Sequence, residues 1–241
     1  MDSSTSVGRD GFNREKGFVK SLAKYFNVSP GKSRAAVVAY SNFARTILKF
    51  TDYQSETDFN DKLDTEPWFG GIRRIDRALE AASTLLSQAR PNVPKVVVLV
   101  TAGQQTTSAG ARPMGEAARP LKNMGAKTVV VTVGIEADLK IFLPVVNSIS
   151  DLFGVKLFDE LRYEVQPIVN QVVDHFGELN ELLSMSLTVQ SSLAFTKYSQ
   201  RQPVLRKLAT YRIPSRAGFN CSLLIFFLSR RNRLCIELIF L

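Results

Sequence analysis

Lys95-Val96-Val97-Val98-Leu99-Val100-Thr101 and, further on, Lys127-Thr128-Val129-Val130-Val131-Thr132-Val133 decide the fold class. Both are unbroken runs of β-branched and aliphatic residues. A strand with one wet face alternates apolar and polar residues, whereas a strand buried on both faces does not need to. Between them lies Met114 to Met124, which reads as a helix despite Pro120. Before the first run, Ile75 to Ala89 (IDRALEAASTLLSQA) is rich in Ala and Leu and is the strongest helical stretch of the chain. Strand, helix, strand with both strands buried implies a parallel sheet covered on both faces.

The same periodicity extends toward both ends. Phe12 to Phe26 reads as an amphipathic helix, closed by Asn27-Val28-Ser29-Pro30-Gly31. Ala35 to Tyr40 and Ala44 to Phe50 read as strands of a hairpin, with Ser41-Asn42-Phe43 between them. Ser55 to Leu63 predicts a short capped helix. Leu139 to Val146 predicts another, Lys156 to Phe158 a last edge strand, and Tyr163 to Phe176 a closing helix with Gly177 as its cap. The fold class is therefore α/β, a doubly wound and mostly parallel sheet with helices on both faces. Only Met1 precedes the loop Asp2 to Gly8, where such a sheet needs an apolar strand at its centre. The first strand is expected to be truncated, unless another segment fills the slot.

Composition narrows the function. Hydrophobic residues make up 45% and the net charge is +9. Through Gly177 there are 22 Lys/Arg against 19 Asp/Glu; from Glu178 onward there are 9 against 3. The basicity belongs to the tail, so nucleic acid is not an expected partner. The two cysteines, Cys221 and Cys235, also lie in the tail, which leaves the body without a Cys-based metal site or disulfide. The single histidine, His175, sits on an amphipathic stretch and reads as a packing or surface residue, so a Ser-His-Asp site is not expected. No nucleophile and base can be paired. Pro30-Gly31-Lys32-Ser33 has the ending of a phosphate loop, but Phe26 stands where the motif needs glycine and the flanking order is helix then strand. Asn27 and Asn220 match the glycosylation pattern, with Pro30 discouraging the first. No signal peptide and no membrane-spanning run are visible.

Ligands of a parallel sheet sit at the carboxyl ends of its strands. Asp2-x-Ser4-x-Ser6 is a carboxylate and two hydroxyls on one loop, suited to a hard cation such as Mg²⁺. The loop, the helix after it, the strand pair, Gly70-Gly71, IDRALEAA, KVVVLVTAG and KTVVVTVG follow one another in an order that resembles the von Willebrand factor A (vWA) domain. This domain occurs in matrilins, type VI collagens, integrin I domains and von Willebrand factor, and the likeness covers Met1 to Gly177. It implies a metal-ion-dependent adhesion site whose cation takes a carboxylate from the partner. Asp2, Ser4 and Ser6 match its first loop. Arg73 stands where the family has threonine after the Gly pair, and Ala102 where it has the aspartate of Thr-Asp-Gly. The resemblance thus implies a site with weakly bound Mg²⁺ or Mn²⁺ or none. A guanidinium could neutralise Asp2 in the cation's place. The alternative, two solvated arginines at a loop tip, is favoured by how little exposed pairs contribute.

These readings make residues 1–177 a non-catalytic protein-binding module of an extracellular matrix or adhesion protein. Its partners would be matrix proteins such as collagens or other vWA proteins, and Arg73, Arg74 and Trp68 are its candidate contact residues. Extracellular localisation follows from the resemblance. The alternative is a structural spacer that self-associates without a ligand. Residues 178–241 read as an extension, partly helical or disordered, with two short apolar runs split by Arg230-Arg231-Asn232-Arg233. The extension is expected to be an aberrant terminus unrelated to the domain; the other reading is a membrane-surface or partner-binding segment, because basic residues flank its apolar runs.

Overall fold

The computed structural model describes residues 1–134, 138–177 and 235–241. Its elements in chain order are α1 (Gly8–Tyr25), β1 (Arg34–Tyr40), β2 (Ala44–Leu48), α2 (Glu56–Asp64), α3 (Ile75–Leu86), β3 (Lys95–Thr101), α4 (Met114–Asn123), β4 (Lys127–Val133), β5 (Leu152–Val155) and β6 (Glu237–Phe240). Residues 161–177 are helical. The strands form one sheet in the order β2-β1-β6-β3-β4-β5. The β1–β2 pairing is antiparallel and every other pairing is parallel.

β3 and β4 are buried almost throughout, as their unbroken apolar runs require. Alternate residues, among them Val97, Leu99, Val130 and Ile239, face the apolar sides of α3 and α4. The residues between them point to the opposite face. There α1 buries Phe12, Phe18, Val19 and Leu22, and the helical stretch 161–177 buries Leu161, Val165, Ile168 and Val172. The short α2 starts as expected, Ser55 accepting a hydrogen bond from the Asp58 N–H at 3.1 Å.

Two expectations need correction. The last parallel strand is Leu152–Val155, not Lys156 to Phe158, which begins a turn; Gly134 N–H bonds to Val155 O and fixes β5 beside β4. The larger correction concerns the tail. Met1–Val172 and Leu234–Leu241 form one compact unit, so the last apolar run is not separate from the domain. It supplies the slot at the sheet's centre. Glu237 to Phe240 pair with Arg34 to Val37 on one side and with Lys95 to Val98 on the other. Residues 178–234, most of the extension expected to be partly helical or disordered, lie outside the described residues.

β6 is held by more than its backbone. Glu237 is fully buried, and the Arg34 guanidinium meets it with Nε and Nη2 both at 3.0 Å. Arg90 donates to the same carboxylate. A bidentate pair reinforced by a second arginine fixes register, because a slip of one residue would turn the carboxylate to the other face of the sheet.

Candidate functional site at the carboxyl ends of the strands

The Asp2 loop sits where the central strand ends. Asp2 pairs in parallel with Tyr40. The Met1 amine donates to Val38 O, Tyr40 N–H to Met1 O and Ser3 N–H to Tyr40 O. This ladder brings the Asp2 carboxylate, fully buried, to the end of β3. Its Oδ1 accepts the Ser4 N–H at 2.9 Å. Its Oδ2 accepts the Ala102 N–H at 3.1 Å and the Thr101 hydroxyl at 3.3 Å.

Arg73 completes the arrangement. Its Nε donates to Asp2 Oδ2 at 2.6 Å, and its Nη2 donates to Ser6 Oγ at 2.5 Å. Nη1 donates to Gln104 O at 3.2 Å. The Ser4 and Ser6 hydroxyls are 3.3 Å apart. The side chain is 10% exposed and the Asp2 carboxylate not at all. Asp2, Ser4, Ser6, Arg73 and Ala102, which lie far apart in the chain, therefore share one pocket. The alternative of two solvated arginines does not hold for Arg73. The guanidinium lies between the carboxylate and the hydroxyl of the first loop.

The backbone makes room for it. Gly103 has φ +134°, and a Cβ there would come within 3.3 Å of Arg73 Nη1. Gly71, at φ +110°, could not accept a Cβ, which would meet Asn42 Oδ1 at 2.6 Å. Gly71 also ties the two loops together, with Thr5 N–H bonding to its carbonyl and its own N–H to Thr5 Oγ1. Thr106 holds Arg73 through its hydroxyl and its N–H.

Arg74 is turned the other way. It grips Asp76 with Nε at 2.8 Å and Nη2 at 2.7 Å, and donates to Gly110 O. Burial opposes ionisation of Asp76, but the Arg74 hydrogen bonds and the Arg112 N–H outweigh it and leave the pKa below the usual carboxylate value. Trp68 is half-buried and its indole N–H donates to Ser4 O at 3.2 Å, so the ring packs beneath the loop.

The sequence reading missed Glu15 and the loop Gln104 to Thr106. Glu15 is fully buried below Asp2 and accepts the Asp2 N–H at 2.7 Å. Burial pushes its pKa well above the usual range, against the pull of the Met1 amine. Burial in turn lowers that amine to about 5, against the pull of Glu15 and Asp2. The signal was present, since Glu15 lies in the stripe Phe12, Val19, Leu22 at helical spacing, where only apolar residues belong.

A von Willebrand factor type A domain model matches residues 1–166. The chain belongs to this family. Human von Willebrand factor A domain-containing protein 2 is 30% identical over 138 residues, covering 56% of this chain and 18% of that protein. The human collagen alpha-6(VI) chain is 28% identical over 107 residues, 43% of this chain and 5% of that one. The chain thus spans less than a third of the length of these relatives. Among solved structures, proximal thread matrix protein 1 from the mussel byssus, with a zinc-occupied MIDAS (metal-ion-dependent adhesion site) motif, superposes with a TM-score of 0.63 at 26% identity. The match covers 70% of this chain and 43% of that one. Manganese-loaded TRAP protein of Plasmodium vivax shares the fold at 15% identity and a TM-score of 0.54. Relatives of this vWA domain thus include collagen VI chains and a thread matrix protein, and two of its structural neighbours carry metal ions. Among the described residues no helix is long and apolar enough to cross a membrane.

Proposed function

We propose that this vWA domain is a non-catalytic protein-binding module of the extracellular matrix, and that Arg73 takes the place of the divalent cation on its adhesion face. The observation that carries the reading is the Arg73 guanidinium, 2.6 Å from Asp2 Oδ2 and 2.5 Å from Ser6 Oγ. The donor set does not fit a hard cation. One carboxylate and two hydroxyls remain, Ala102 has no side-chain oxygen to offer, and a cation entering beside Asp2 would meet a fixed positive charge.

The electrostatic role passes to the side chain. A guanidinium carries five N–H groups. One goes to Asp2, one to Ser6 and one to Gln104 O, which leaves one on each Nη for the carboxylate of a partner. Arginine suits that task because its fork matches a carboxylate. Arg74 and Trp68, committed to Asp76 and to Ser4, shape the rim rather than contact the partner. The matrix setting is supported by the collagen VI and byssal relatives.

The test is adhesion of the purified chain to immobilised type VI collagen and other matrix proteins, with EDTA or with Mg²⁺ and Mn²⁺. Binding is expected to be equal in both and to fall at least tenfold for Arg73→Gln. Binding abolished by EDTA would refute the proposal.

A further inference from the structure

The loop between β3 and α4 is held without help from the core. None of residues 102–112 is buried, so no apolar side chain of this stretch anchors it. A segment with so few buried contacts opens locally at low cost unless polar bonds close it. Some of those bonds run to Arg73. Its N–H donates to Thr106 Oγ1 at 3.2 Å, and Thr106 N–H donates to Arg73 O at 2.9 Å. Its Nη1 donates to Gln104 O. The loop thus fastens both the backbone of Arg73 and the guanidinium that faces Asp2.

The loop's own fastening lies at Asp76. This residue is fully buried in the first turn of α3. Its carboxylate accepts the Arg112 N–H at 3.0 Å and both arms of Arg74. Arg74 Nη2 also donates to Gly110 O at 2.9 Å. Asp76 N–H donates to Gln105 Oε1 at 2.6 Å, and Gln105 Nε2 donates to Arg112 O at 2.8 Å. Three residues of the loop, Gln105, Gly110 and Arg112, therefore converge on Asp76 and its arginine. Bonds to an ionised partner are the strong ones. The hydrogen bonds of the Arg73 guanidinium go to Asp2, Ser6 and Gln104 and not to Asp76. Any influence of Asp76 on the site runs through Arg74 and the loop.

We propose that Asp76 is a positioning residue for the Arg73 site: it seats the loop of residues 103–112, and the seated loop keeps the Arg73 guanidinium between Asp2 and Ser6. The inference deepens the adhesion reading and rests on it for its consequence in binding. Without the Asp76 carboxylate, Arg74 is left buried with no counter-charge, and the loop loses its tie at Arg112. Arg74 and the loop then rearrange together. Gln104 and Thr106 leave Arg73, whose side chain gains freedom that a partner's carboxylate has to remove again on binding. Affinity falls although Asp2, Ser4, Ser6 and Arg73 are all still present.

Two variants of the full-length chain test it. Asp76→Asn keeps the shape and removes the charge. Gln105→Ala cuts the amide link at a loop residue that is not buried, and decides the matter should the first variant not fold. Val172→Ala is the control for mere loss of stability. It opens the core beside Gln171, which meets Asp151 just before β5, at the opposite end of the sheet. Two readouts are taken together: adhesion to immobilised type VI collagen, and hydrogen exchange at the Arg73 Nε–H by NMR, a signal assigned by its disappearance in Arg73→Gln. The natural chain and the control are expected to show a slowly exchanging Nε–H and equal adhesion. In Asp76→Asn the exchange is expected to quicken and adhesion to fall about tenfold, the size of one charge-assisted hydrogen bond. Gln105→Ala is expected to move both readouts the same way by less. A folded Asp76→Asn chain that keeps both readouts would overturn the proposal; should that chain not fold, a Gln105→Ala chain that keeps both would do so. Adhesion that falls while the exchange is unchanged, or a control that loses both to the same extent, would overturn it too. Adhesion unaffected by Arg73→Gln would refute the adhesion reading instead, and the Nε–H exchange would then judge the positioning by itself.

Discussion

Deleting residues 235–241 is expected to abolish cooperative unfolding altogether. β6 lies between β1 and β3, and without it the sheet has no central strand. Ile236, Leu238, Ile239, Phe240 and Leu241 are each at most 1% exposed. At about 1.5–3 kcal/mol for each large apolar side chain, their burial contributes on the order of 10 kcal/mol. That is comparable with the whole stability of a typical domain, roughly 5–15 kcal/mol. The deletion also exposes two strand edges and leaves Arg34 and Arg90 without their carboxylate. The expected result is a chain that keeps far-ultraviolet helical signal but loses its near-ultraviolet signal and its sigmoidal urea transition. A deletion variant that melts cooperatively with an unchanged denaturant slope would mean that β6 is not part of the folded core.

The second large effect is expected at Asp2. Asp2→Ala removes the partner of a guanidinium whose side chain is 10% exposed, and strands the Ser4 and Ala102 N–H groups that the carboxylate satisfies. Breaking a buried ion pair from one side costs about 3–5 kcal/mol, because the remaining charge stays buried without a counterpart. Arg73→Ala alone leaves Asp2 with the Ser4 and Ala102 N–H donors and is expected to cost less. A double-mutant cycle in urea should then give a coupling energy above about 2 kcal/mol, against the 0.2–1 kcal/mol of exposed pairs. A coupling inside that lower range would place the two groups in solvent and remove the electrostatic basis of the site.

The sequence made some of this plain. β3 and β4 were legible because they are buried on both faces and carry no polar residue in mid-strand to blur the pattern. α3 was legible because its apolar residues recur at helical spacing, although it stops at Leu86 rather than Ala89. β5 was displaced by a few residues because Leu152–Val155 contains Gly154 and buries only its last residue, so alternation says little about it. β6 was the largest surprise. Its apolar run was visible, but periodicity reports how a segment is buried and not where. The run ends a basic extension, and nothing in its pattern ties it to the domain. That it fills the slot between β1 and β3 is a fact only tertiary structure supplies.

The site was legible only through its resemblance to a family. Asp2, Ser4 and Ser6 form a weak pattern alone, and no local rule places Arg73 or Ala102 beside them. Arg73 and Arg74 look alike in the sequence. They separate because neighbouring residues of a non-helical segment point to different sides, one toward Asp2 and the other toward Asp76 at the start of α3. Glu15 was legible in principle as a carboxylate on an apolar stripe.

The central claim is that a guanidinium occupies the place of a metal ion, and calorimetric titration with Mn²⁺ addresses it most directly. The natural chain is expected to give no binding heat up to millimolar Mn²⁺. The variant with Arg73→Thr and Ala102→Asp, which removes the positive charge and returns two oxygen ligands, is expected to bind with one-to-one stoichiometry. Micromolar binding of Mn²⁺ by the natural chain, lost on Asp2→Ala, would contradict the account.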